Sequence, residues 1–190
     1  MIHQLSNEYY VRGLRVTDLH GPYKSWFEDQ DVCRYNSHGK FAKTEEYFKV
    51  FFDHLNQEDR LVWAICHHAD GHIGNVSLQS ISVIDHNAEF AILLGDKRHW
   101  GKGVGTLASR KLVEHGFNKL NLERIYCGTA ANNHAMRKLA TALGMTEEGI
   151  RRRHLYLEGE WVDIIEYGLL RNDFRTLSAA SAGEYSQNCT

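Results

Sequence analysis

Between residues 98 and 106 the chain reads Arg98-His99-Trp100-Gly101-Lys102-Gly103-Val104-Gly105-Thr106. Three glycines at alternate positions let the backbone turn tightly and approach a ligand with no Cβ in the way. Residues 88–95, just before, are apolar and read as a strand. Residues 106–118, just after, carry Leu107, Leu112, Val113 and Phe117 and read as a helix. A strand, a glycine turn and a helix start gather unpaired N–H groups and the positive end of a helix dipole at one point, which attracts phosphate. Arg98, Lys102, Arg110 and Lys111 add positive charge nearby.

Two phosphate-binding motifs are excluded by spacing. A P-loop requires Gly-Lys-Ser or Gly-Lys-Thr, and no glycine of this chain is followed in that way. The dinucleotide fingerprint requires Gly-x-Gly-x-x-Gly and an acidic residue at the end of the next strand. Here the spacing is Gly-x-Gly-x-Gly, and Glu123 falls at the start of the next strand candidate, residues 124–129.

The wider stretch from Gly95 to Thr106 resembles motif A of the GNAT N-acetyltransferases, with Trp100 where the usual form has Gln or Arg. Ala131-Asn132-Asn133-His134-Ala135-Met136, followed by Leu143-Gly144-Met145, resembles motif B. Glu148-Gly149 with Arg152, and Glu158-Gly159-Glu160-Trp161-Val162-Asp163, resemble the closing hairpin of a subgroup that includes ribosomal-protein, spermidine and amino-sugar acetyltransferases. The four landmarks occur in family order across residues 10–174. The resemblance implies an α+β GNAT fold: a mixed, mostly antiparallel sheet of six to seven strands flanked by helices, with a central parallel pair that splays apart. Acetyl-CoA is the implied cosubstrate. Its pantetheine arm would pair near Leu93, Leu94 and Gly95, and its pyrophosphate would sit on Arg98, His99, Trp100, Gly101, Lys102, Gly103, Val104, Gly105 and Thr106. Asn132 or Asn133 would touch the arm.

Composition is consistent with this. A chain of 190 residues, 43% hydrophobic and 24% charged, has the size and balance of one globular domain. The domain is expected over residues 1–175, and the small, polar residues 176–190 read as a disordered tail. A net charge of −2 argues against nucleic-acid or anionic-membrane partners. Cys33, Cys66, Cys127 and Cys189 show no CxxC spacing and read as reduced thiols. With no run of 18 apolar residues and no leader pattern at the start, a cytoplasmic location is expected. His67, His68 and His72 flank a turn at Ala69-Asp70-Gly71 without a carboxylate or cysteine at ligand spacing, so no metal is expected. Relatives are often dimers, so a homodimer is the assembly the resemblance suggests.

Elements follow from periodicity and turn signals. Residues 9–16 read as a strand, and a helix capped by Thr17 or Asp18 is expected through Tyr23, Trp26 and Phe27. Residues 29–40 read as a loop, and a helix beginning near Thr44 carries an aromatic stripe. A three-stranded meander is expected over 61–67, 72–82 and 88–95, with a bulge or close backbone approach at Gly74. Residues 124–129 form a strand, and Asn132 or Asn133 caps a helix ended by Gly144. Residues 151–157 and 161–169 form a hairpin. In the resembled family the first two helices flank the acceptor, which makes Trp26, Tyr35, Asn36, His38 and Phe41 candidates to line its site.

Acetyl transfer needs an unprotonated amine, a donor for the oxyanion and a proton for the leaving thiolate. Many family members supply that proton from a tyrosine in the motif B helix, but here the position holds Leu139 or Ala140. Tyr126 and His134 are the alternative donors nearest in sequence. Glu89 opens the strand before motif A and is the expected base. The expected reaction moves acetyl from acetyl-CoA to a primary amine of a small molecule. The segment around residues 26–39 suggests an amino sugar, nucleotide-linked. Protein N-termini and polyamines are alternative acceptors, and a CoA-binding module without catalysis is the alternative class.

Overall fold

Strands β1 (Ile2–Gln4), β2 (Tyr9–Gly13), β3 (Leu61–His67), β4 (Gly71–Ser82), β5 (Asn87–Leu94), β6 (Arg124–Ala130), β7 (Thr146–Leu157) and β8 (Glu160–Leu170) form one sheet in the computed structural model. Their order is β1-β2-β3-β4-β5-β6-β8-β7. The described residues are 2–36, 40–41, 43–55 and 57–176. His38 and the tail from 177 onward therefore lie outside them, and Thr176 ends a helical segment at 171–176. The sheet has eight strands, one more than expected. The addition is β1, whose three residues are too few to show a period. It is folded back on β2 by the Leu5 and Ser6 N–H groups donating to Tyr9 O.

Every pairing is antiparallel except β5 with β6. Those two strands pair only at Asn87–Arg124, Ala88–Ile125 and Glu89–Tyr126. Beyond Glu89 they part: residues 90–94 stay with β4, and residues 127–130 stay with β8. The expected splay is therefore present, with Glu89 at its apex.

Among the described residues, four helices besides the segment 171–176 accompany the sheet: α1 (Gln30–Cys33), α2 (Glu45–Asp53), α3 (Val104–Lys119) and α4 (His134–Leu143). Val104, Ala108, Leu112, Val113 and Phe117 recur on one face of α3 and pack with Val76, Leu78, Phe90 and Ile125 of the sheet. A second cluster joins Tyr23, Trp26, Phe27, Val32, Phe48 and Phe52. At Gly74 the β3–β4 register shifts nearby, and a Cβ would lie 2.6 Å from Leu93 O, so the expected bulge and close approach are both present.

The N-terminal region departs from expectation. Instead of one helix through Phe27 there are two 3-10 turns, Val16–His20 and Lys24–Phe27. Gly21, which precedes Pro22, is extended (φ −95°, ψ −157°), and a residue before proline is pushed out of the helical region. Asp18 does not cap a helix through Phe27. It is buried and takes a two-pronged contact from Arg12 at 2.7 and 2.8 Å, plus the Arg15 N–H at 2.8 Å. Burial alone would raise its pKa, but these donors outweigh burial and hold it below the ordinary carboxylate range. Residues 30–33, expected as loop, form α1, whose N-cap Asp29 accepts from the Asp31 and Val32 N–H groups.

Candidate active site

The parting of β5 and β6 opens a cleft of about 810 Å³. Its rim at one end is the glycine loop. Gly101 and Gly103 adopt φ of 73° and 78°, which only glycine takes without strain. Gly103 is the N-cap of α3, so Val104 and Gly105 join the first turn and the helix starts earlier than its apolar pattern suggests. Among the described residues, the N–H groups of residues 101–105 donate to no protein acceptor. Those of Trp100 and Thr106 are taken by Lys97 O and Gly103 O. Five amides and a helix N-terminus thus remain to meet an anion. The Trp100 indole N–H reaches back to Leu94 O at 2.8 Å, tying the loop to the free end of β5.

Of the residues expected to hold the cofactor, Leu93, Leu94, His99, Trp100, Gly101, Gly103, Gly105, Thr106 and Asn133 line this cleft. Gly95 does not: its N–H is taken by Ile73 O at 3.0 Å, and Trp26 lies flat where its side chain would be. Val104 is buried in the core beneath the loop. Arg98 is spent on Asp96 at 2.6 Å and Asp70 at 3.2 Å, whereas Lys102 is exposed and has no ion pair among the described residues. Arg110 donates to Ala142 O, away from the loop in sequence, and Lys111 is paired with Glu114. The two asparagines separate. Asn133 caps α4 by accepting the Met136 N–H at 3.1 Å and lines the cleft, while Asn132 lines a neighbouring recess of about 290 Å³ with Arg34, Tyr35, Glu158 and Glu160.

Of the expected reacting groups, Glu89 lines the cleft and is half-buried. Tyr126 is its register partner on β6 but is not among the lining residues; the Arg124 guanidinium sits 5.9 Å over its ring. His134 is exposed at the start of α4, and Ala135, Met136 and Leu139 of that helix face the cleft instead. At the expected acceptor wall, Tyr35 and Asn36 are present, while Trp26 is 4% exposed inside the aromatic cluster. Phe41 is exposed.

Several lining residues escape the sequence reading. Tyr23, Phe27, Tyr47 and Phe51 form an aromatic wall, and Arg34 and Arg60 supply cations. Asn75, Ser77 and Gln79 alternate along β4 facing the cleft, opposite the core residues Val76 and Leu78. A polar row on one face of a central strand is the signal that would have found them. Asn75 is oriented from below, because its Oδ1 lies 2.8 Å from Nε2 of buried His72, which also faces Gly74 O at 3.0 Å. Both partners are acceptors, so Nε2 carries the proton. Burial pushes the His72 pKa below the ordinary histidine value.

Comparisons with known proteins agree with this geometry. The profile of the GNAT acetyltransferase domain matches residues 9–146. The N-acetyltransferase YjcK of Bacillus subtilis is 28% identical over 171 residues, covering 86% of this chain and 94% of that protein. Spermidine N(1)-acetyltransferase of Vibrio cholerae is 29% identical over 149 residues, covering 78% and 80%. A shorter match to N-acetyltransferase p20 of Bacillus licheniformis, 32% identical over 102 residues, spans 57% of that protein. Among solved structures, the Vibrio cholerae spermidine N-acetyltransferase in complex with CoA and spermine superposes with a TM-score of 0.81 at 22% identity, over 89% of this chain and 99% of that one. No helix among the described residues is long and apolar enough to cross a membrane. The chain belongs to the GNAT acetyltransferase family: it is an acyltransferase, an N-acetyltransferase that uses acetyl-CoA.

Proposed function

We propose that this enzyme acetylates the primary amine of a small acceptor that carries a stackable ring and an anionic group, as a nucleotide-linked amino sugar does. The observation that carries this reading is the lining of the acceptor half of the cleft. Aromatic rings of Tyr23, Phe27, Tyr35, Tyr47 and Phe51 stand with Arg34, which pairs with Asp31 and Glu158, and Arg60, which pairs with Asp59; among the described residues the lining carboxylates are Asp31 and Glu89. Asp31 is engaged by Lys97 at 3.0 Å and Arg34 at 3.3 Å, which leaves Glu89 to meet the amine. A polycation would be better served by several free carboxylates.

The diphosphate of acetyl-CoA binds the five free amides of residues 101–105, and its pantetheine arm takes the place of the missing strand beside β5. At the apex of the splay, Glu89 accepts a proton from the acceptor ammonium, directly or through one water. The freed nitrogen attacks the thioester carbonyl carbon and the C–S bond then breaks. The nitrogen sheds its second proton as the amide forms, and the CoA thiolate takes one up. The position of the family's tyrosine holds Leu139 or Ala140, neither of which can donate, so the thiolate is protonated by water or by a hydroxyl of the cleft wall.

A second reading, spermidine as acceptor, is favoured by the Vibrio cholerae relative of that activity and by Glu158 and Glu160 in the recess beside Tyr35. Release of CoA thiol in the presence of nucleotide-linked amino sugars, spermidine and short peptides decides between them. Turnover on the first alone supports the proposal. Turnover on spermidine alone, or on none of the panel, rejects it.

A further inference from the structure

Beside the glycine loop, outside the acceptor half of the cleft, two imidazoles and a carboxylate converge. His67 ends β3, Asp70 lies in the turn to β4, and His99 immediately precedes Trp100. Their ligand atoms all lie within 4.8 Å of one another. Asp70 Oδ2 is 2.6 Å from His67 Nδ1 and 3.3 Å from His99 Nε2. We propose that His67, Asp70 and His99 bind a divalent transition metal ion of the zinc class, and that the ion clamps the β3–β4 turn to the cofactor loop.

Three observations carry this. First, His99 Nε2 is fully buried and makes no hydrogen bond, with Asp70 Oδ2 3.3 Å away. A buried polar atom left without a partner is uncommon, and it faces the cluster. Second, His67 Nδ1 accepts the Asp70 N–H at 3.2 Å, so it bears a lone pair. A carboxylate oxygen lies 2.6 Å from that nitrogen, so the two donors move slightly apart to share one ion. Third, the other nitrogen of His99 is held by the Tyr9 hydroxyl at 3.0 Å, the kind of outer partner that fixes the tautomer of a metal-binding histidine. Two imidazoles and one carboxylate match the donor preference of zinc. Arg98 approaches the same carboxylate, its Nη1 lying 3.2 Å from Oδ1. Asp70, the carboxylate inside the turn itself, three residues after His67, escapes the sequence reading, and His99 arrives from a later strand-to-helix turn.

The test uses tag-free, metal-stripped full-length protein titrated with Co²⁺ as a spectroscopic stand-in and with Zn²⁺ by calorimetry. It needs no turnover and is therefore independent of the acceptor reading. The expected result is one ion per chain, a visible Co²⁺ ligand-field band, and a rise in Tm on adding Zn²⁺. His67→Gln and Asp70→Asn should each weaken binding by about tenfold or more. His67→Gln keeps the Arg98–Asp70 contact and guards against a fold defect in the second variant. His68→Gln should bind like the parent. No ion bound at micromolar concentrations, or binding that survives both variants, would overturn the proposal.

Discussion

Glu89 draws its importance from its position: it is the last residue of β5 that still pairs with β6, and its side chain opens on the cleft. If it is the base, Glu89→Gln lowers kcat by about 100-fold or more and leaves KM for acetyl-CoA unchanged. An unchanged kcat would assign the base elsewhere. Buried titratable groups set a second expectation. His3, His72 and His115 are pushed below the ordinary histidine pKa, first of all by burial. The unfolded chain therefore binds more protons, and stability is complete above about pH 6.5 and falls as the pH drops from there. Asp18, held below its ordinary value, adds stability above about pH 4 that is lost as the pH falls through its folded pKa. Thermal melts should show both declines, and His72→Gln should flatten the first. Asp18→Asn at neutral pH should cost about 3 kcal/mol, because it strands the Arg12 guanidinium in a largely buried site. Glu89 was readable from its place ahead of the glycines. Asn75, Ser77 and Gln79 were not read, because their alternation suggests a ligand only once β4 is known to be central.

The glycine loop is the element that most closely follows its sequence, because backbone conformation is a local property. Gly103 at φ 78° cannot be replaced without strain. Gly103→Ala should cost about 1–2 kcal/mol. If that strain falls on the loop's anion-binding form, KM for acetyl-CoA rises about tenfold while kcat at saturation is kept. Steady-state kinetics with acetyl-CoA varied will read this directly. An unchanged KM would mean that the loop amides do not carry the cofactor's phosphates. The 3-10 turns before α1 are the opposite case. Tyr23, Trp26 and Phe27 have helical spacing, yet Pro22 imposes an extended Gly21 and divides the segment. Their burial in the aromatic cluster, not helix propensity, holds them in place. Trp26, expected at the acceptor, fills the space that a side chain at Gly95 would occupy.

Across the whole molecule, the cleft is bounded by segments far apart in sequence: β4, β5, the glycine loop, the start of α4 and the aromatic wall from residues 23–51. A ligand that fills it should stabilise the entire fold by mass action. CoA at 100 times its Kd should add about 2.7 kcal/mol, or a Tm rise of about 5–10 °C for a chain of this length, and differential scanning fluorimetry will show it. No shift with CoA would mean that the cleft does not take the cofactor. The strands from β2 onward, the helices at α2, α3 and α4, the turn at the glycines, a cap at Asn132 or Asn133 and the place of Glu89 on its strand were legible in the sequence alone, because each depends on local periodicity, steric freedom or capping. Tertiary structure decided which side chains meet. It freed five amides and spent Arg98 on aspartates, turned Leu139 and not His134 toward the cleft, and brought His99 against His67 and Asp70. Such contacts depend on strand register and on how one face packs over another, and no window of neighbouring residues encodes them.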